Sequence, residues 1–145
     1  MNSNVFDYLN NDMSNIVQRL DATASHYADW PRDRIFEQTK KELAALKIHF
    51  SKEALLEQNL KNPNGTQGLI DKARKQREVI AKEVEDLVMI HVDEPGFEQG
   101  LESITEKLGE HMNFCAATFF PSLKEHLTND DMQHIGEQLD QMVLS

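Results

Sequence analysis

Hydrophobic residues recur at intervals of three and four along four long stretches of this chain. This spacing places each set on one face of a helix. No stretch alternates convincingly at a period of two, so β-strands are not expected. Four such faces can converge on one axis, which predicts a helical bundle. In chain order, the faces are formed by Phe6, Leu9, Met13, Ile16 and Leu20, by Leu46, His49, Glu53, Leu56 and Leu60, by Ala73, Gln76, Ile80, Val84, Leu87 and His91, and by Phe97, Leu101, Ile104, Leu108, His111 and Cys115.

Clusters of turn-forming residues separate these stretches, at Trp30-Pro31 and at residues 62–65, 93–96 and 128–130. We therefore predict helices at about 4–28, 32–61, 66–91 and 96–124, followed by a short one at about 129–143. Thr128 and Asp131 resemble a capping box at the start of the last helix. The predicted fold is all-α, an up-down-up-down four-helix bundle with a short C-terminal helix, in a single domain of residues 1–145.

The charge balance limits the partners that the chain is expected to bind. It has 15 Lys and Arg against 25 Asp and Glu, a formal net charge of -10. Such a chain repels phosphate backbones and anionic lipid surfaces, so we expect neither a nucleic acid nor a membrane as partner. The N-terminus is polar and acidic, unlike a signal peptide. The single cysteine cannot form an intrachain disulfide, which favours a cytoplasmic location.

Polar residues interrupt two of the apolar faces. His49 and Glu53 lie one turn apart on the second predicted helix, and His111 lies one turn before Cys115 on the fourth. A buried carboxylate without a partner is costly, so Glu53 is expected to be paired or to bind a ligand. A His and a Glu four residues apart project side by side and can share a cation, and a facing helix can complete the site. The candidate metal ligands are His49, Glu53, His111 and Cys115.

Three segments follow the pattern of a known family. The opening NVFDYLNNDM is similar to a start that ends in Asp-His, and LAALKIHFSKEALL contains H-x-x-x-E as His49 and Glu53. The segment DEPGFEQGLESITEKLGEHMNFCAATFFPSL is similar to a last long helix that ends in Phe-Pro, here Phe120-Pro121. With these features, over almost its whole length, the chain resembles a hemerythrin-like domain of the bacterial kind often called the HHE cation-binding domain.

The resemblance implies a four-helix bundle around two bridged irons that bind dioxygen or respond to oxygen or nitric oxide. Imidazole nitrogens and bridging carboxylates would hold the irons. The chain departs from this ligand set at three positions. Met13 stands in place of a histidine of the first helix, Gln76 or Arg77 in place of one in the third, and Cys115 in place of the second ligand of the last helix. Ligand chemistry is kept at His49, Glu53 and His111.

These features predict a divergent hemerythrin-like protein that binds a metal, preferably iron, in a degenerate site. A single ion with two imidazoles, one carboxylate and one thiolate would also suit zinc. With the site intact, a small diatomic ligand would be a partner, in sensing or storage connected with oxygen, iron or nitric oxide. No nucleophile–base arrangement stands out, so the chain is not predicted to be an enzyme.

Two alternatives remain open from the sequence. The first is a metal-free helical bundle that has lost the di-iron centre and interacts with another protein or with a second copy of itself. In that case His49 would bond Glu53 or His111, and Met13 would help to fill the space left by lost ligands. The second alternative is a thiol sensor acting through Cys115, which would need an exposed thiol with a lowered pKa.

Overall fold

The computed structural model describes residues 5–60 and 65–144. These residues form helices and turns and no strand, which confirms the all-α prediction. Four long helices come first: α1 (Val5–Ser25), α2 (Arg32–Gln58), α3 (Gln67–Val88) and α4 (Pro95–Phe114). A π-helical turn (Cys115–Phe119), a short helix α5 (Phe120–Lys124) and a last helix α6 (Asn129–Leu144) follow.

The helix boundaries lie close to those predicted. The first helix ends at Ser25 instead of about residue 28, because the chain turns ahead of Pro31, with Trp30 N–H donating to His26 O over 2.9 Å. The second helix ends at Gln58 instead of about residue 61, and Asn59 N–H donates to Leu56 O over 3.2 Å in the turn that follows. The predicted helix start at residue 4 and the turn at residues 62–64 lie outside the described residues. Gly65 has a φ of 89°, a conformation that glycine adopts without steric cost, just before α3 begins.

Two details near the C-terminus refine the prediction. The fourth helix is continuous to residue 124 as expected, but it contains the π-helical turn, in which Phe120 N–H donates to Cys115 O. Pro121 follows at once and has no N–H for a regular helical bond, which accounts for the wider turn. The capping box is confirmed, because Thr128 N–H donates to Asp131 Oδ2 over 2.9 Å and Asp131 N–H donates to Thr128 Oγ1 over 3.1 Å.

The interior consists of two apolar clusters. The first, which we call the main cluster, includes Met13, Ile16, Leu20, Ile35, Leu43, Leu46, Ile80, Leu87, Leu101, Ile104 and Leu108. The second, which we call the terminal cluster, includes Val5, Phe6, Leu9, Leu56, Ile70, Ala73, Cys115, Phe119, Leu123, Ile135 and Leu139. The predicted faces of the first and last long helices are buried throughout, with His111 in neither cluster. His91 of the third face lies beyond α3 and is exposed.

The long helices pack unevenly around this interior. α1 packs closely against α2 and α4, and α3 packs closely against α4, whereas α2 and α3 touch at few points. A groove therefore runs between α2 and α3. None of the helices in the described ranges combines the length and the apolar character that a membrane crossing requires.

Candidate metal centre

A layer of buried polar side chains separates the two apolar clusters. On α2, His49 and Glu53 lie between Leu46 of the main cluster and Leu56 of the terminal cluster. Their exposed fractions are 1% each, and that of His111 is 0%. The neighbouring long helices contribute to the same layer through Asp12 on α1, Gln76 and Arg77 on α3, and His111 on α4.

Glu53 is the centre of this layer. Its Oε2 lies 2.8 Å from His49 Nε2, and its Oε1 lies 2.7 Å from His111 Nε2. Each imidazole therefore donates its Nε2 proton to a different oxygen of one carboxylate. The i, i+4 spacing of His49 and Glu53 produces the first contact within α2, whereas the second joins α2 to α4.

The outer nitrogens of the two imidazoles also have partners. His49 Nδ1 lies 2.7 Å from Asp12 Oδ2, and His111 Nδ1 lies 2.6 Å from Gln76 Oε1. Both rings are thereby fixed with Nδ1 outward and Nε2 toward Glu53. Metal-binding histidines in proteins are oriented in this way, with an acceptor holding one ring nitrogen so that the other faces the ion.

Arg77 brings a positive charge to the same carboxylate. Its Nη1 lies 3.2 Å from Glu53 Oε1. The guanidinium is paired mainly with Glu57, at 2.7 Å for Nη1 to Oε2 and 2.8 Å for Nη2 to Oε1. Because Glu57 balances Arg77, most of the negative charge of Glu53 remains to be balanced by the imidazoles or by a cation.

The second candidate ligand pair lies on α4 and the π-helical turn. Cys115 Sγ is 3.6 Å from His111 Nε2, and one ligand atom each from Glu53, His111 and Cys115 lie within 4.8 Å of one another. His49 contacts the opposite oxygen of Glu53 and stands outside this group. Three of the four predicted ligands therefore form a compact group. The fourth, His49, lies outside this group and bonds the other oxygen of Glu53.

Burial and neighbouring charges shift the ionisation of several of these groups. Burial alone would raise the pKa of Glu53 and of Asp12, but hydrogen bonds and charges from the facing imidazoles outweigh it and lower both pKa values. Burial alone would lower the pKa of His49, but Asp12 and Glu53 raise it. For Cys115, burial and then the charge of Glu53 raise the pKa, so the metal-free thiol is protonated and buried. A sensor acting through an exposed, activated thiolate is not supported by this environment.

We expect the stability of the metal-free protein to depend on pH through His49. Its folded-state pKa lies above the ordinary value of 6.5, so its contribution is complete below pH 6.5 and is lost as the pH rises through the folded-state pKa. For Glu53 the folded-state pKa lies below 4.5, so its contribution is complete above pH 4.5 and is lost as the pH falls. Urea unfolding of the metal-free protein, measured in the presence of a chelator, should therefore give the highest free energy of unfolding between pH 4.5 and pH 6.5.

The variant His49→Gln tests whether His49 causes the expected loss of stability at alkaline pH. It should lose the decline in the free energy of unfolding that begins above about pH 6.5, since it has no imidazole to deprotonate. His134→Gln, at an exposed position of α6, should keep that decline. An equal decline in His49→Gln and the unaltered protein would contradict the role given to His49.

The residues present do not fit a di-iron centre. Met13 is buried in the main cluster and offers no imidazole. Gln76 is bonded to the outer nitrogen of His111, and Arg77 places a cation beside Glu53. Two irons held mainly by imidazole would therefore lack most of their nitrogen ligands.

The distances between the candidate ligand atoms fit a single metal ion better than a pair of irons. In tetrahedral zinc sites, bonds of about 2.0 Å to nitrogen and 2.3 Å to sulfur place the two atoms roughly 3.6 Å apart. The separation of His111 Nε2 and Cys115 Sγ is 3.6 Å. The contact between His111 and Glu53, at 2.7 Å, is the length of a hydrogen bond and would have to open by about 0.6 Å when an ion replaces the proton.

Sequence reasoning missed two residues of this arrangement. The sequence analysis assigns no role to Asp12 or to Glu57, although Glu57 continues the His49–Glu53 row by one further turn. The alternatives Gln76 and Arg77 both contact the layer, through His111 and Glu53 respectively. The i, i+4, i+8 spacing of His49, Glu53 and Glu57 was the signal that could have extended the set.

The chain was compared with known proteins. No family model matches it. No curated protein and no solved structure matches it either.

Proposed function

We propose that this protein binds one divalent transition-metal ion, iron(II) or zinc, in the polar layer of its core. Glu53, His111 and Cys115 would be the ligands, and His49 would hold the second oxygen of Glu53. The observation that carries the proposal is the orientation of both imidazoles, whose Nδ1 atoms are held by Asp12 and Gln76 and whose Nε2 atoms face one carboxylate.

The charge and protonation of the layer are compatible with such an ion. His111 can keep its proton on Nδ1, donated to Gln76, which leaves the Nε2 lone pair for a metal. A bound cation would lower the pKa of the Cys115 thiol and displace its proton, as metals do for coordinated thiols. Carboxylate, imidazole and thiolate together are ligands that zinc accepts, and iron(II) accepts imidazole and carboxylate.

We propose further that the fold is an up-down-up-down four-helix bundle, related to the hemerythrin-like domains that the sequence resembles. The start of α1, the end of α2, the start of α3 and the end of α4 all belong to the terminal cluster, and their opposite ends belong to the main cluster. This alternation is the support for that arrangement. A divergent domain of this kind would have exchanged its two-iron site for a smaller one.

Cobalt(II) titration of protein freed of metals with a chelator tests the proposed site. We expect one equivalent to bind and to produce an absorption band of thiolate-to-cobalt charge transfer. Zinc should displace cobalt and raise the melting temperature, because an ion that binds only the folded state at 100 times its Kd adds about 2.7 kcal/mol of stability.

Matched variants separate this site from adventitious binding. Cys115→Ser should lose the charge-transfer band, and His111→Gln should lose tight binding of cobalt. Gln76→Leu should weaken binding by about 10- to 100-fold, since it removes only the outer partner of His111. His134→Ala, an exposed histidine on α6, should bind like the unaltered protein. Absence of both the band and the melting shift at millimolar cobalt or zinc would refute the proposal, and two equivalents would refute a single-ion site.

One observation favours a second candidate, the metal-free bundle. Both oxygens of Glu53 already accept hydrogen bonds from imidazoles, and Arg77 lies beside one of them. The layer is therefore internally paired without an ion. The same titration distinguishes the two candidates, because a metal-free bundle predicts no change in melting temperature with added metal.

A further inference from the structure

The least closely packed part of the bundle lies beside the polar layer. Of the pairs of long helices that contact one another at several points, α2 and α3 are the most loosely packed. A cavity of about 590 Å³ occupies the groove between them. Phe50 and Ala54, which flank Glu53 on α2, line this cavity together with Arg77 of α3. The groove therefore reaches the layer that contains the candidate metal centre.

The ring of Phe50 stands between this cavity and the imidazoles. It lies edge-on to the ring of His111, with 5.8 Å between the ring centres and 87° between the ring planes. The centre of the His49 ring is 6.3 Å away. Phe50 is partly exposed, whereas His49 and His111 are buried. This side chain therefore covers both imidazoles on the side of the groove.

Arg77 forms the opposite wall of this passage. Its Nη1 lies 3.2 Å from Glu53 Oε1, the oxygen that also faces His111. This is the oxygen through which Glu53 would bind the proposed ion, since Oε2 is bonded to His49. Two shorter contacts with Glu57 keep the guanidinium in place and balance its charge. The passage therefore ends at the candidate ligand atoms, beside a fixed wall.

A route from the side of α1 would have to pass His49. On that side the layer reaches the surface at Asp12, whose side chain is 28% exposed. His49 lies between Asp12 and Glu53 and is bonded to them over 2.7 and 2.8 Å. An ion on this route would have to break both hydrogen bonds of a buried imidazole, which is costly. On the side of the groove, only an apolar ring has to turn.

We propose that the metal ion enters and leaves the centre from the groove between α2 and α3, through a gate whose moving part is the ring of Phe50. This inference rests on the proposed function, because it assumes an ion bound by Glu53, His111 and Cys115. In the arrangement described above, the gate is closed. It opens when the ring turns to another rotamer on the side of the cavity, where there is space for it.

Such a gate controls the rate of metal exchange and not the affinity. Phe50 is not one of the proposed ligands, so the bound state does not depend on its ring. A conformational step of this kind limits association when binding has to wait for it. Charge does not take over this role, because the charged residues that line the cavity have both signs. They are Lys47, Arg74, Arg77, Glu78 and Glu85.

Stopped-flow measurements with cobalt(II) test the gate. Uptake is followed by the thiolate-to-cobalt band, and release by the loss of that band at EDTA concentrations where the rate no longer depends on EDTA. Phe50→Ala should speed up both uptake and release by about tenfold, within the range over which association rates vary among variants of one site. Its Kd for cobalt should change by less than about threefold, since the ligands are unaltered. Phe50→Leu keeps more apolar volume, should give a smaller increase and serves if Phe50→Ala does not fold.

Two control variants separate the gate from other effects on exchange. Val84→Ala removes apolar volume from the same cavity, about two turns of α3 beyond Arg77, and should keep both rates. Lys52→Met removes the cation that lies 3.6 Å from Asp12. It should also keep both rates, since the ion does not pass on that side.

Failure of the gate and failure of the metal site give different results. If the unaltered protein binds no cobalt, the proposed site is refuted and the gate with it. If cobalt binds but exchanges at the same rate in Phe50→Ala and Phe50→Leu as in the unaltered protein, only the gate is wrong. Faster uptake in Lys52→Met, without faster uptake in the Phe50 variants, would place the entrance at Asp12 and would equally overturn the proposal.

Discussion

Replacing Glu53 with Ala should lower the free energy of unfolding by about 3–5 kcal/mol, the usual cost of removing one partner from a buried charged network. His49 and His111 would each lose the acceptor of their Nε2 proton, and Arg77 would lose one of its two carboxylates. At an exposed fraction of 1%, this position is closed to bulk water, so the donors would lose their charged acceptor without a full replacement. Urea unfolding at pH 6 in chelator measures the effect.

A second substitution keeps this prediction testable if Glu53→Ala does not fold. Glu53→Gln preserves the shape and one acceptor oxygen and should cost less than Glu53→Ala. The control is Glu37→Ala, which removes an exposed glutamate from the same helix and should change stability by no more than about 0.5 kcal/mol. If Glu53→Ala costs no more than Glu37→Ala, the central role of this carboxylate in the polar layer is wrong.

Replacing Arg77 with Met should also destabilise the protein by about 3–5 kcal/mol. Glu57 is buried, and the guanidinium lies 2.7 and 2.8 Å from its two oxygens. Its other cation, Arg74, has a side chain that is 54% exposed and lies 3.1 Å from one oxygen. Met has a similar length and no charge, so the loss would come mainly from the uncompensated carboxylate.

A double-mutant cycle with Glu57→Gln separates the ion pair from other effects. The double variant should be more stable than the sum of the two single losses predicts, by about 1–3 kcal/mol, because the carboxylate left without a partner is then gone too. Lys75→Met, an exposed position on α3, is the control and should have little effect. Strict additivity of the two single changes would show that the two side chains do not interact in solution.

The candidate site shows which contacts can be predicted from the sequence and which cannot. His49 and Glu53 could be paired from their i, i+4 spacing, because residues four apart on a helix are neighbours. That His111 bonds the other oxygen of Glu53 required the two helices to be placed relative to each other. Spacing along one helix does not give the axial offset between helices, so Gln76 and Arg77 could not be distinguished and Asp12 was missed.

The groove between α2 and α3 could not be predicted from the sequence either. Phe36, Val88 and Met89 were not part of the predicted faces, and their position on one surface depends on how far α2 stands from α3.

The sequence by itself determined the helices, their approximate ends and the faces that are buried, because helical periodicity, turn residues and capping are local properties of the chain. The tertiary structure alone decided which polar side chains meet in the core, which oxygen each imidazole contacts and where the bundle stays open. Those features depend on distances between helices far apart in the chain, and these are set by the packing of all side chains at once.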